Sequence, residues 1–274
     1  MTEPSPITTD YHMHTVFSPD GDDTPAAMCR QAVDIGLSAI ALTEHAEWHP
    51  VAQPHGFPNA DAYFLAVEQC RTEFGAQGLQ ILTGVELGNP HQYFDEATRL
   101  VESYPFDVKI ASLHWLNGQN IHLKECFIGR HPYDVYRDYF YQISQLARDF
   151  EFDILGHFDR IIWRGQLLQI GFDPYRIERD IRAALATLVK HNRCLELNTR
   201  FLDDPLNWND ALIVMLRWYW EAGGTRVVVN SDAHRRHEIG RNREMAQQLL
   251  AQADFTFAES YLQLVPALPV TPAV

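Results

Sequence analysis

The chain has 274 residues, 46% of them apolar, with 22 Lys+Arg against 36 Asp+Glu and a formal charge of −14. That length and apolar content give a sizeable core without disulfide or metal staples, and exclude an intrinsically disordered chain. The acidic surplus excludes nucleic-acid binding through a basic face, which requires excess Lys and Arg to neutralise phosphates.

The first ten residues, MTEPSPITTD, contain neither a basic stretch nor an apolar run, so no secretory leader is expected. A strand is expected over 7–10, then a helix with Thr24 as N-cap and Pro25 at its first position, ending at Gly36. Strand 39–43 precedes a helix that follows Asn59 and stops at Gly75. Strand 80–86 leads to helix 92–103. Strand 108–114 leads into a long connection, 114–131, with the expected role of a lid, and then helix 132–149. Strand 152–157, helix 174–190, strand 194–198, helix 209–221, strand 226–231 and helix 241–252 complete the series. Seven strands alternating with helices imply a parallel sheet with crossover helices, as a closed barrel or an open doubly wound sheet. No linker divides the chain, so one domain is expected over 1–265, with a proline-bearing tail, 266–274, trailing along the surface. The longest apolar run, near 211–220, is broken by Arg217 and is shorter than the roughly 20 residues that span a bilayer. The four cysteines form no Cys-x-x-Cys pair and read as buried free thiols, which points to the cytoplasm.

The chain also carries 13 histidines, and their placement matters more than their count. The expected strand ends carry, in order, His12 with His14, His45, Glu86, His114, His157, Asn198, and Asp232 with His234. In a barrel these ends converge on one face, where active sites of that architecture sit. His12 and His14 are two apart in extended chain and share a side, as do Asp232 and His234. A His-x-His pair with carboxylates on neighbouring strands is a ligand set for Zn, Fe or Mn. A lone histidine at a strand end reads as an ordinary hydrogen-bonded residue; agreement among the strand ends turns the reading to a metal site. Asn198 lacks charge and suits hydrogen bonding better than ligation.

The motifs Asp10-Tyr11-His12-Met13-His14-Thr15, Thr43-Glu44-His45, Gly84-Val85-Glu86, Ser112-Leu113-His114, Gly156-His157 and Ser231-Asp232-Ala233-His234 together resemble the PHP (polymerase and histidinol phosphatase) family. The resemblance is to its histidinol-phosphatase branch in particular, and runs from Asp10 to about Gly240. It implies an α/β fold, a distorted (β/α)7 barrel, with three divalent ions (Zn, Fe or Mn) at the C-terminal ends of the strands. In that pattern His12, His14, Glu86 and Asp232 hold one ion, and Glu86 bridges to a second held by His114 and His157. Asp20, His45 and His234 hold a third, Asp20 standing where other members often carry histidine. The implied activity is hydrolysis of a small phosphomonoester, L-histidinol phosphate foremost, by a metal-bridging hydroxide that attacks phosphorus. Glu86, Asp232 and His234 would serve the reacting centre. Three divalent ions on three ligand carboxylates leave about +3, which suits a phosphate despite the chain's −14. Arg160 and Arg200, just past the fifth and sixth strand ends, are candidate phosphate forks, with Arg164 a third.

Other readings compete. A PHP phosphatase for a nucleotide or sugar phosphate fits the same motifs, and residues 115–120 depart from the Gly-Trp-Pro-Phe-Asp-like segment expected of histidinol phosphatases. An amidohydrolase-type barrel also opens with His-x-His, but it typically uses a carboxylated lysine at a middle strand end, whereas Lys109 lies within a strand. A non-catalytic metal-dependent module needs no full ligand set. His49, His55, His91, His122, His131 and His237 are expected in largely solvated loops near the same face, and His191 at a helix end. Selectivity is expected from loops 47–59 and 115–131, where Trp48, His49, Trp115 and Glu125 offer stacking and hydrogen bonds to an imidazole.

Overall fold

The computed structural model describes residues 7–206 and 208–255. In chain order its elements are β1 (Thr9–Asp10), α1 (Pro25–Asp34), β2 (Ala39–Ala46), α2 (Ala60–Phe74), β3 (Gln80–Gly88), α3 (Phe94–Ser103) and β4 (Val108–Ser112). A small hairpin follows, β5 (Trp115–Leu116) and β6 (Gln119–Asn120), and then α4 (Pro132–Asp149), β7 (Ile154–Leu155) and α5 (Arg160–Leu167). The remainder is α6 (Glu178–Lys190), β8 (Cys194–Asn198), α7 (Asn209–Glu221), β9 (Val227–Asn230) and α8 (Arg243–Gln252).

Seven strands form one parallel sheet in the order β1-β2-β3-β4-β7-β8-β9. Strands that follow one another in the sheet follow one another in the chain, so the sheet curls into a barrel with helices outside. β1 and β9 meet without a continuous ladder. A single parallel bridge pairs Met13 with Ala233, and side chains supply the remaining bonds. Tyr11 N–H donates to Asn230 Oδ1 at 2.8 Å, and Ser231 N–H donates to Asp10 Oδ1 at 3.0 Å. Buried Asp10 and Asn230 thus satisfy backbone groups that an open sheet edge would strand.

Strand pleating explains why the reactive residues share an end. Ala39, Ala41, Leu82, Val108, Ile110, Ile154, Cys194 and Val228 belong to one small apolar cluster, whereas Ile40, Leu42, Ile81 and Val85 pack in the large cluster that includes the helices. Successive side chains alternate faces, so the barrel-lining series extends by twos. From Ala41 it runs to Thr43 and His45, from Leu82 to Gly84 and Glu86, and from Cys194 to Glu196 and Asn198. Apolar residues fill the barrel's lower part, and the same face turns polar at the C-terminal end. The register sets His45 directly beside Glu86.

Of the expected elements, helix 132–149, strand 194–198 and helix 209–221 have the observed limits. Thr24 caps α1, accepting from Ala27 N–H at 3.3 Å. The expected strands 7–10 and 152–157 shrink to two residues each in β1 and β7. The first four residues of the expected helix 174–190 form a 3-10 turn, Pro174–Ile177, before α6. Helix α5 and the β5–β6 hairpin went unpredicted. α5 carries Gly165 in mid-helix, a weak helix former, and a Cβ there would collide with Tyr136 Oη. The four cysteines are free and buried. Among the described residues no helix is long and apolar enough to cross a membrane. The expected surface tail, 266–274, lies outside the described residues.

Candidate metal centre

Five imidazoles surround the carboxylate of Glu86. Its Oε2 lies 2.8 Å from His45 Nδ1 and 3.5 Å from Nε2 of both His12 and His14. Its Oε1 lies 2.8 Å from His157 Nε2 and 3.2 Å from His114 Nε2, and accepts from Ser112 Oγ at 2.7 Å. Asp232 Oδ1 closes the other side of the His-x-His pair, 3.5 Å from His14 Nε2 and 3.9 Å from His12 Nε2. Burial alone would push the Glu86 carboxyl up, but His12, His114 and His45 hold it well below the usual carboxylate range.

The ring orientations test whether cations fit. His12 Nδ1 lies 2.7 Å from Glu196 Oε1, and His114 Nδ1 makes a short contact with Glu47 Oε1. A carboxylate accepts only, so each ring donates Nδ1–H and directs its Nε2 lone pair at Glu86. Lone pair facing carboxylate is repulsive unless a proton or metal ion lies between. His12 Nε2, His14 Nε2, His45 Nδ1 and Glu86 Oε2 are buried without a hydrogen-bond partner. Protons alone serve the cluster unevenly. Burial opposes charge on His12 and His45, yet the carboxylates raise both well above the usual imidazole value. Burial and the neighbouring His45 and His234 push His14 well below it, and burial with Arg160 brings His157 down to about 4. The residues therefore fit divalent cations. One ligand atom from each residue lies within 4.8 Å of the others in His12–His14–Asp232, in Glu86–His114–His157 and in His14–His45–His234.

The outermost group is more open. Asp20 Oδ2 lies 3.0 Å from His234 Nε2 and Oδ1 3.4 Å from His45 Nε2, so Asp20, His45 and His234 do come together. The Asp20 side chain is 54% exposed.

Both candidate phosphate forks converge on Asp232. Buried Arg160 places Nη2 2.5 Å from Oδ2, while half-buried Arg200 places Nη1 3.3 Å from Oδ1 and 3.0 Å from His234 Nδ1. Burial opposes ionisation of Asp232, but Arg200, His12 and Arg160 hold its carboxyl well below the usual range. Arg164 sits over the Trp163 ring, 5.0 Å from its centroid. His157 and Asp232 both adopt positive φ, 25° and 51°. Such backbone costs on the order of 1–3 kcal/mol and clusters at functional sites. Glu196 holds the first, accepting His157 N–H at 2.6 Å.

Sequence reasoning missed the buried acids behind the rings. Glu196, not Asn198, is the sixth strand's main contribution: it bonds His12, the His157 backbone and Asn230 Nδ2. Asn198 Nδ2 donates to Glu196 Oε2 at 3.1 Å. The alternation of two was the available signal, since both residues face the barrel interior. Glu44 pins the loop after His14, accepting from Thr15 N–H, Thr15 Oγ1 and Ser18 Oγ at 3.0, 2.7 and 2.6 Å. Glu47 and Glu196 add two negative charges that the charge of about +3 expected of the ion cluster did not count, and Arg160 with Arg200 offsets them.

A cavity of about 290 Å³ opens onto the cluster, with Asp20, His45, Glu47, His114, Trp115 and His122 in its wall. Several histidines expected to be solvated are not. His122 Nε2 is buried, His91 Nε2 lies 2.9 Å from Gln142 Oε1, and His49 stacks on Trp115 at 3.6 Å between centroids. His191 caps the end of α6 as expected.

Residues 10–200 match the PHP domain family. A histidinol-phosphatase of Lactococcus lactis is 25% identical over 251 residues, 90% of this chain and 91% of that protein. A probable histidinol-phosphatase of Clostridium acetobutylicum is 28% identical over 243 residues, 85% of this chain and 89% of that protein. The crystal structure of the histidinol phosphate phosphatase of Lactococcus lactis, complexed with Zn, L-histidinol and phosphate, superposes with a TM-score of 0.81 at 24% identity. That match covers 93% of this chain and 98% of the other. The putative histidinol phosphatase of Listeria monocytogenes gives 0.73 at 22% identity, covering 86% and 99%. The expected barrel thus has counterparts among solved structures, and the chain belongs to the PHP domain family.

Proposed function

We propose that this protein is a metal-dependent phosphatase that hydrolyses a small phosphomonoester, with L-histidinol phosphate as substrate. The observation that carries the reading is the Glu86 carboxylate, whose two oxygens face separate sets of imidazoles. One buried carboxylate so divided suits a bridge between cations. The names of the relatives over most of the chain support the substrate.

In this reading three divalent ions (Zn, Fe or Mn) are held by His12, His14, Glu86 and Asp232, by Glu86, His114 and His157, and by Asp20, His45 and His234. When bound, such ions neutralise phosphate oxygens and acidify water to the attacking hydroxide near neutral pH. The chain's own groups prepare the site. Arg160 and Arg200 keep Asp232 ionised, and each guanidinium retains further N–H groups to offer a phosphate. Glu196 and Glu47 fix the tautomers of His12 and His114. The cavity's size suits a small ester over a polymer.

The test is elemental analysis of protein purified without chelator, with kcat/KM measured over a panel of phosphomonoesters. About three ions per chain are expected, with loss of activity on chelation and recovery with divalent metal. At least about tenfold preference for L-histidinol phosphate over p-nitrophenyl phosphate is expected, which requires only about 1.4 kcal/mol of selective contact. Far better turnover of a nucleotide or sugar phosphate would overturn the substrate. Full turnover by protein shown to be metal-free would overturn the mechanism.

A further inference from the structure

Glu47 lies just beyond the end of β2, outside the ligand sets that the strand ends suggested, yet it touches both the ion cluster and the substrate cavity. Its Oε1 accepts from His114 Nδ1, and its Oε2 accepts from Trp115 Nε1 at 3.2 Å. Its backbone is held as well, by an antiparallel bridge between Glu47 and Gly56. Gly88, at the end of β3, lies flat beneath the carboxylate: a Cβ there would overlap Glu47 Cδ and both carboxylate oxygens. Three separate contacts therefore fix where this carboxylate stands.

The two acceptor bonds have different consequences. The first commits His114 to the Nδ1–H tautomer and leaves its Nε2 lone pair facing Glu86, 3.2 Å away. A carboxylate behind an imidazole also makes the ring a stronger ligand. The second sets the rotation of the Trp115 indole, which lines the cavity on one side and carries His49 stacked on a face. We propose that Glu47 is a positioning residue that aims His114 at the ion cluster with one oxygen and sets Trp115 as a cavity wall with the other, so that one carboxylate couples ion retention to substrate selectivity. This rests on the metal-dependent phosphatase reading above.

The experiment compares wild type with Glu47→Gln, Gly88→Ala and Trp115→Phe. Ion content is measured by elemental analysis after dialysis against graded chelator, and kcat/KM is measured for L-histidinol phosphate and ring-free glycerol phosphate. Loss of an outer partner lowers metal affinity by about 10–100-fold, so Glu47→Gln should release one ion at least about tenfold more readily than wild type. Gly88→Ala keeps the carboxylate but displaces it, and should release the same ion more readily; it decides the question if Glu47→Gln does not fold. Trp115→Phe removes the indole donor and part of the cavity wall but leaves the Glu47–His114 contact, so it should retain ions as wild type does and lose selectivity between the esters by about threefold or more. Glu47, His45 and His114 also bring one ligand atom each within 4.8 Å of one another, so ligation and positioning must be told apart: saturated with Co²⁺, a Glu47→Gln protein in which Glu47 only positions His114 should keep the wild-type visible absorption intensity. Wild-type ion retention in a folded Glu47→Gln or Gly88→Ala protein would overturn the proposal. So would a changed Co²⁺ spectrum at saturation, or ion loss in Trp115→Phe. A wild type that holds ions but cleaves neither ester would instead overturn the substrate reading, and the ion measurements would still decide this one.

Discussion

The inner and outer parts of the cluster are built from the same residue types but are supported differently. Around His12 and His114 the rings are buried, and each has a carboxylate behind it, Glu196 and Glu47 respectively. At the rim, Asp20 is largely exposed, and His234 has the cationic Arg200 against its Nδ1. A carboxylate behind an imidazole strengthens it as a ligand, and a guanidinium in the same place weakens it. On the proposed three-ion reading, the inner cradle would retain its ions and the outer one would exchange.

The harshest test of that contrast removes what the two inner sets share. Glu86→Gln should lower kcat/KM by about a thousandfold or more, equivalent to about 4 kcal/mol of barrier, because one side chain serves both inner sets. Elemental analysis should find ions lost from both inner sets. A folded Glu86→Gln protein that keeps its ions and most of its activity would dissolve the distinction.

The arginines give the next largest effect, read on stability in ion-free protein. Arg160 and Asp232 form a buried pair at 2.5 Å, and breaking such a pair costs about 3–5 kcal/mol. Arg200 is half-buried and makes a longer contact, so Arg200→Met should cost no more than about 1 kcal/mol. Thermal or urea melts of Arg160→Met and Arg200→Met check the ordering. Equal losses would mean that burial does not set the difference.

The contrast sharpens further with Asp20→Asn. This variant should lose the most weakly held ion at roughly tenfold less chelator, on the order of the lower end of partner-loss effects, while the inner ions stay. Activity should fall less than in Glu86→Gln. Simultaneous release of all ions in wild type and variant alike would erase the inner–outer division.

These differences were legible in the sequence only in part. The ligand candidates stood out because six of the seven expected strands ended in His, Asp or Glu at similar spacing, a repetition that composition alone does not produce. Strand pleating then explains why they face one cavity. Glu44 and Glu196 lie inside strands and Glu47 just past one, away from the strand-end positions that drew the reading, and the fold reveals the imidazole or hydroxyl beside each. His122 and His91 misled for the opposite reason, since a histidine in a connection reads as solvated until a neighbour covers it. The short β1 and β7 were over-drawn because apolar residues continue past the point where the ladder stops.

The smallest effect belongs to a histidine outside the cluster. His91 lies before α3, and its Nε2 is 2.9 Å from Gln142 Oε1 of α4. Burial pushes its pKa below the usual imidazole value, only partly opposed by Gln142 and Asp149. The native protein therefore resists protonating this ring, whereas the unfolded chain takes up the proton near pH 6.5. Between that pH and the lower native value the unfolded state binds more protons, so stability falls as pH falls, and the loss levels off below the native value. His91→Gln removes this contribution and leaves the cluster alone. Activity should stay within about twofold of wild type, as expected for a change that touches neither ions nor substrate. The drop in Tm between pH 7.5 and pH 5.5 should be smaller in the variant than in wild type. An identical drop in both would show that His91 does not carry this part of the pH dependence, and a large loss of activity would place it inside the functional region from which the fold separates it.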